Sequence, residues 1–140
     1  MPAAASGKVL VDSNVLIDVV QQDPTWFDWS AKRLREVADA GRGVINPIIY
    51  AEVSVGFDTI EEFESAIALF NFERQPLPWP AAFLAGKAYV LYRKRGGRKG
   101  TPLPDFYVGA HAALGGLALL TRDARRYREY FPRLKLIAPR

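Results

Sequence analysis

The sequence predicts a single three-layer α/β/α domain built on a short parallel sheet, and three observations carry that prediction. Short, uninterrupted apolar runs stand at Val9-Leu10-Val11, Val44-Ile45 and Leu117-Ala118-Leu119-Leu120. This is the pattern of strands buried on both faces. Stretches with helical spacing separate the runs, and such crossovers bring successive strands into parallel register. The chain has 140 residues, 49% of them hydrophobic, which suits one core and one domain over residues 1–140.

The opening strand runs straight into Asp12, and a second apolar run begins at Val15 with a different period. Residues 15–20 therefore read as a short helix, with Ser13 or Asn14 as its cap. Asp23-Pro24 pairs a cap with proline at the first helical position and predicts a helix over 24–40. After the second strand, Asn46-Pro47 repeats that signal and starts a helix reaching about residue 56. Thr59-Ile60-Glu61-Glu62 is a capping box, opening a helix expected to turn Ile60, Phe63, Ile67 and Phe70 inward. Pro76, Pro78 and Pro80 keep the next connection extended, with Trp79 expected to pin it to the core. A helix over 80–95 should bury Leu84, Ala88, Leu91 and Tyr92. The basic, glycine-rich loop 96–104 leads to a helix opened by Asp105 and stopped by Gly115-Gly116. A basic helix over 124–130 and a strand over 135–137 complete the order, and residues 1–7 are expected to be flexible.

Composition removes several chemistries. The chain has no cysteine, so it has no disulfide, thiolate nucleophile or cysteine-type zinc site. His111 is the one histidine, which excludes catalysis by a histidine pair; it reads as a packed or solvated helix residue. Neither common glycine-rich phosphate loop occurs. No apolar run has the length of a membrane span or a signal peptide, so a soluble, cytoplasmic protein is expected. The net charge of +4 is unevenly spread. Residues 1–70 hold five Lys/Arg and eleven Asp/Glu, whereas residues 71–140 hold fourteen and four. That asymmetry fits a basic surface for an acidic partner, and equally two solvated faces.

Four carboxylates stand out by position. Asp12 and Asp123 follow two predicted central strands, Glu52 lies on the helix after the second strand, and Asp105 opens a helix behind the flexible loop. The carboxyl edge of such a sheet is where ligands bind. Acids gathered there repel one another, and some take up protons unless a cation sits among them. Oxygen ligands alone point to a hard ion, Mg²⁺ or Mn²⁺ in its place. Ser13, Asn14 and Thr121 are candidates for orienting the carboxylates by hydrogen bonds, with local capping as the alternative. Asp18, Asp23, Asp28, Asp39 and Asp58 read as surface or capping charges. Arg93, Lys94, Arg95, Arg98 and Lys99 form a cationic cluster just before Asp105, and Arg122, Arg125, Arg126 and Arg128 are candidates to extend it; such a rim would draw a phosphate backbone toward the acids, with a solvated helix end as the alternative.

The order of these residues resembles a known family. Val11-Asp12-Ser13-Asn14-Val15-Leu16-Ile17-Asp18 is similar to the opening motif of PIN-domain nucleases, above all the VapC toxins of bacterial toxin–antitoxin pairs. Ile48-Ile49-Tyr50-Ala51-Glu52-Val53 resembles the helix carrying their second acid. Pro102-Leu103-Pro104-Asp105 with Val108-Gly109-Ala110-His111-Ala112 resembles the third motif. Leu119-Leu120-Thr121-Arg122-Asp123, with Tyr127 four residues on, resembles the fourth. The resemblance implies a Mg²⁺-dependent endoribonuclease in which Asp12, Glu52, Asp105 and Asp123 hold one or two ions and activated water attacks a phosphodiester of RNA. It also implies a homodimer, silenced by a small antitoxin protein. Two alternatives stand beside this reading: a PIN nuclease of RNA maturation or decay without an antitoxin, and a non-catalytic binding module on the same fold.

Overall fold

The computed structural model describes residues 7–98 and 102–140. The flexible start expected over 1–7 therefore lies, apart from Gly7, outside the described residues.

The three apolar runs form the strands β1 (Val9–Val11), β2 (Gly43–Ile45) and β4 (Ala118–Leu120), and every residue in them is buried. Two shorter strands, β3 (Glu73–Arg74) and β5 (Leu136–Ile137), complete a five-stranded sheet. The order is β3-β2-β1-β4-β5, with all pairings parallel. Leu10 lies opposite Val44 on one side and Leu119 on the other. From β1 the chain builds outward through β2 and β3, then returns to build β4 and β5 on the other flank. The sheet thus has its topological switch point at β1, between β2 and β4.

Seven helices are described: α1 (Ser13–Val20), α2 (Phe27–Asp39), α3 (Pro47–Ser54), α4 (Ile60–Ala68), α5 (Trp79–Lys94), α6 (Leu103–Gly115) and α7 (Arg125–Tyr130). With the sheet they make the three-layer α/β/α domain. Asn46 caps α3 through Ile49 N at 3.0 Å, and Thr59 caps α4 through Glu62 N at 3.2 Å, as the sequence predicts. Asp23 accepts from Thr25 N and Trp26 N, but it closes a turn first, so α2 starts three residues later than expected.

Several inward faces differ from expectation. On α5 the buried residues are Ala81, Ala85 and Ala88, whereas Leu91 is exposed and Leu84 only partly buried. Small side chains four and three apart let α5 lie close along α6. Trp79 does not anchor the proline segment; it is 88% exposed. Ile60 also faces solvent, because it is the first residue of α4 and precedes the buried stripe of Phe63 and Ile67. Within α6, Gly109 is required by close packing: a Cβ there would lie 2.5 Å from the ring of Phe131. Gly116 ends α6 in the left-handed conformation, at φ 66°.

Candidate active site

The backbone of Asp12 still belongs to the sheet, donating to Leu120 O at 2.9 Å. Its extended conformation then makes Asp12 itself the N-cap of α1, with Oδ1 accepting from Ser13 N at 2.8 Å. The expected caps, Ser13 and Asn14, are used differently. Oγ of Ser13 donates to Oε1 of Glu52 at 2.8 Å, joining α1 to α3. Nδ2 of Asn14 donates to Oγ1 of Thr121 at 3.1 Å, joining α1 to the end of β4. Oδ2 of Asp12 accepts from Oγ1 of Thr121 at 2.9 Å and from the hydroxyl of Tyr127 at 3.0 Å. Only 3% of Asp12 is exposed. Burial pushes its pKa up to about 6, the nearby Asp105 carboxylate adds to the rise, and the hydrogen bonds from Thr121, Tyr127 and Ser13 oppose it.

Asp105 lies in the first turn of α6, two residues inside the helix rather than at its cap. Its pKa is raised, chiefly by burial and further by Asp123, while the guanidinium of Arg126 opposes the rise. The contact with Arg126 is a single Nη1 to Oδ2 pairing at 2.8 Å. Glu52 is raised by burial and by Asp105, against the hydrogen bond from Ser13. Asp123 is exposed, and its backbone N–H donates to Oγ1 of Thr121 at 3.2 Å. The fold thus brings all four predicted carboxylates to the carboxyl edge of the sheet, and Asp105 acts electrostatically on or with each of the other three.

Whether these residues suit a divalent cation is a question of donor chemistry. Among the described residues, no three Asp, Glu or His side chains form a ready-made metal cage. Two of the acids turn to neighbours instead, Glu52 to Ser13 and Asp105 to Arg126. The donors are nonetheless all oxygen, partly desolvated and mutually repelling, and a hard ion that keeps several of its own waters needs only one or two of them. The set fits Mg²⁺ or Mn²⁺ on those terms.

Three residues take roles in the structure that the sequence does not give them. Tyr127 is 2% exposed and reaches Asp12 from α7. Arg126 pairs with Asp105. Asp18, expected at the surface, is 1% exposed and accepts from Ser30 Oγ at 2.7 Å and Arg122 Nε at 2.8 Å. Arg122 is therefore engaged by α1 and by the ring of Trp26, 5.7 Å away, and its backbone N–H donates to Asn14. That clamp fixes the loop carrying Thr121 and Asp123. Of the cationic cluster, Arg93, Lys94, Arg95 and Arg98 are exposed, with Arg95 paired to Glu129 at 2.9 Å; Lys99 lies outside the described residues. His111 is buried between Asn46 and Gln75, and burial lowers its pKa.

Residues 9–132 match the family model of the PIN domain. The chain belongs to the PIN-domain family. No curated protein sequence matches it. Solved structures share the fold at low identity. VapBC2 from Rickettsia felis, bound to a fragment of its promoter DNA, superposes with a TM-score of 0.69 at 19% identity, covering 94% of this chain and 98% of that one. DNA-bound VapBC from Salmonella typhimurium gives 0.67 at 20% identity, covering 94% and 97%. FitAcB from Neisseria gonorrhoeae gives 0.68 at 19% identity, covering 92% and 96%. No helix among the described residues of this PIN domain is long and apolar enough to cross a membrane.

The raised pKa of Asp12 has a consequence for stability. The folded protein holds that proton up to about pH 6, whereas the ordinary value is 3.8. Between those limits the folded state binds more protons, so this group's contribution falls as pH rises from about 4 to 6 and stays lost above. In chelator, the stability of the wild-type PIN domain relative to Asp12→Asn should therefore decline across that window by about 2 kcal/mol. Parallel urea titrations from pH 4 to 7.5 measure it, and a constant difference would contradict the shift.

Proposed function

We propose that this PIN domain is a Mg²⁺-dependent endoribonuclease and the toxin half of a toxin–antitoxin pair. One observation carries the nuclease reading: a nearly inaccessible carboxylate, Asp12, is held by Ser13, Thr121 and Tyr127 at the sheet's switch point, beside three more acids. A buried carboxylate with further acids around it is costly to fold and repels a nucleic acid, so a pure binding module gains nothing from it.

Asp12 and Asp105 would hold the ion, with Glu52 and Asp123 beside them, directly or through water. A bound divalent ion polarises a phosphoryl oxygen and lowers the pKa of water. The rest falls to the chain. Thr121 and Tyr127 fix one oxygen of Asp12, so its other face stays aimed. Ser13 steadies Glu52, and Asn14 steadies Thr121. The exposed cations Arg93, Lys94 and Arg98 would receive the RNA backbone. The buried, engaged His111 is no general acid or base, and this favours hydrolysis by water over attack from the RNA 2′-hydroxyl.

The toxin reading is supported by structural neighbours described as toxin–antitoxin assemblies, among them a VapBC-family member from Mycobacterium tuberculosis and a complex from Klebsiella pneumoniae. It predicts a small cognate antitoxin, and a homodimer as the functional unit. Purified protein should nick RNA in Mg²⁺ or Mn²⁺, stop in EDTA, and stop again when the protein encoded by an adjacent reading frame is added. Cleavage that survives exhaustive chelation would remove the metal from the reaction. Metal-dependent cleavage that no neighbouring product suppresses would favour a nuclease of RNA maturation or decay.

A further inference from the structure

Arg126 is placed where a metal-dependent site has no use for a cation. Its guanidinium touches Oδ2 of Asp105, one of the two carboxylates assigned to the ion. The pairing is one-pronged, and both side chains are more than a third exposed, which makes it a weak bond that a divalent ion can displace. Behind it, between α5 and α7, lies a cleft of about 370 Å³ lined by Tyr92, Asp123, Arg125, Arg126, Glu129 and Tyr130. The guanidinium already stands over the ring of Tyr92, 5.9 Å from its centre, so a side-chain rotation keeps one partner while it exchanges the other.

Charge decides which partner it takes. In the cleft and at its mouth, Arg95 neutralises Glu129, and Arg126 neutralises Asp105. Arg125 and Asp123, both exposed, line the same cleft. Cations and carboxylates are thus balanced in the ion-free protein, and a phosphate gains little by entering. A divalent ion held by Asp105 would take the place of Arg126 and leave the cleft with a cationic surplus. A phosphate fits that surplus, because a guanidinium binds it through paired N–H donors.

We propose that Arg126 is a phosphate-binding residue of this cleft, released from Asp105 when the ion binds, so that metal and the RNA phosphate next to the cut bind cooperatively. The inference rests on the metal-dependent nuclease reading. Its sign is unusual: removing Arg126 should improve the metal site and harm the substrate site. The coupling is reciprocal, as any binding linkage must be.

The test uses the full chain and Mn²⁺ alone, followed by calorimetry without RNA, and then steady-state cleavage of a fluorescent RNA. Arg126→Ala should bind Mn²⁺ about fivefold more tightly, the effect expected for loss of a half-exposed competing pair. Its KM for RNA should rise about tenfold with little change in kcat. Arg126→Gln, which keeps the length but not the charge, should behave likewise, and Arg126→Lys should stay near wild type in Mn²⁺ affinity. Thermal melts identify any misfolded variant. Unchanged or weaker Mn²⁺ binding by both neutral variants overturns the exchange, and so does an unchanged KM. A wild-type protein that takes up no Mn²⁺ overturns the metal reading beneath it instead.

Discussion

Asp12→Asn is expected to abolish RNA cleavage and, at neutral pH, to make the protein more stable. The two effects share one cause. The carboxylate of Asp12 is held in a place where burial and Asp105 both disfavour its charge. Asparagine keeps the shape and removes the charge. Its Oδ1 can still accept from Ser13 N, and the Tyr127 hydroxyl, which now donates to Oδ2, can turn and accept from the amide, whereas Thr121 already accepts from Asn14 and Asp123 and gives up its bond to this position. The fold should lose little, and it sheds the cost of the buried anion. We expect the melting temperature at pH 7.5 in chelator to rise by about 3–6 °C. Cleavage should fall by about three orders of magnitude, the scale seen when a charge-stabilising group is removed from an active site. The two measurements must be made on the same preparation. Undiminished cleavage would take Asp12 out of the mechanism, and a lower melting temperature would show that its hydrogen bonds outweigh its desolvation.

The parts of the fold that could be read from the sequence are those whose signal is local. Val9 to Val11, Val44-Ile45 and Leu117 to Leu120 announce buried strands because no polar residue interrupts them. Asn46 and Thr59 announce helix starts because a cap bonds within three residues of itself. β3 had no such signal: Glu73 and Arg74 are exposed, charged and only two residues long, and they are strand by virtue of pairing with Val44 and Ile45. Of the residues expected to face inward on α5, Ala88 is buried and Leu84 and Tyr92 are partly so, whereas Leu91 is exposed and close packing on α6 selects Ala81 and Ala85 instead. Trp79 shows the same limit from the other side, since apolarity alone does not say whether a neighbour exists to cover it.

The candidate site divides in the same way. Its acids were legible because a carboxylate at the end of an apolar strand violates local preference, and such violations mark function. Some partners were legible as well, because Ser13 and Thr121 are hydroxyls beside the acids and do bond Glu52 and Asp12; the other partners arrive from far along the chain. Arg122 reaches Asp18 across 104 residues, Tyr127 reaches Asp12 across 115, and Arg126 reaches Asp105 across 21. Asp18 looked like a surface charge for want of its partner. Tyr127 carried one usable hint: a hydroxyl on the buried face of a short helix directly after Thr121-Arg122-Asp123 must find an acceptor.

Phe106→Ala should be the most damaging single truncation, because the ring of Phe106 joins three elements that carry the site. It is fully buried on α6, next to Asp105. Its ring centre lies 5.7 Å from Tyr92 and 6.4 Å from Tyr89 on α5, 5.1 Å from Tyr130 on α7, and 6.5 Å from Phe131 just beyond it. Most of these contacts are edge-on or tilted, the geometry that aromatic rings favour. Removing the ring loses its transfer free energy and leaves a cavity that four other rings cannot fill without rotating. The expected cost is about 3–5 kcal/mol, or roughly 10–15 °C in melting temperature for a chain of this size. Function should suffer beyond the unfolded fraction, since α7 supplies Tyr127 to Asp12 and carries Arg126 at the edge of the site. Phe106→Leu, which keeps most of the apolar volume, should cost about 1 kcal/mol and retain cleavage. Chemical denaturation of both variants, with cleavage measured well below their midpoints, separates the two effects. If the alanine variant loses under 1 kcal/mol, the aromatic cluster is not what holds α7 against the acids, and the alignment of Tyr127 must come from its own hydrogen bond to Asp12.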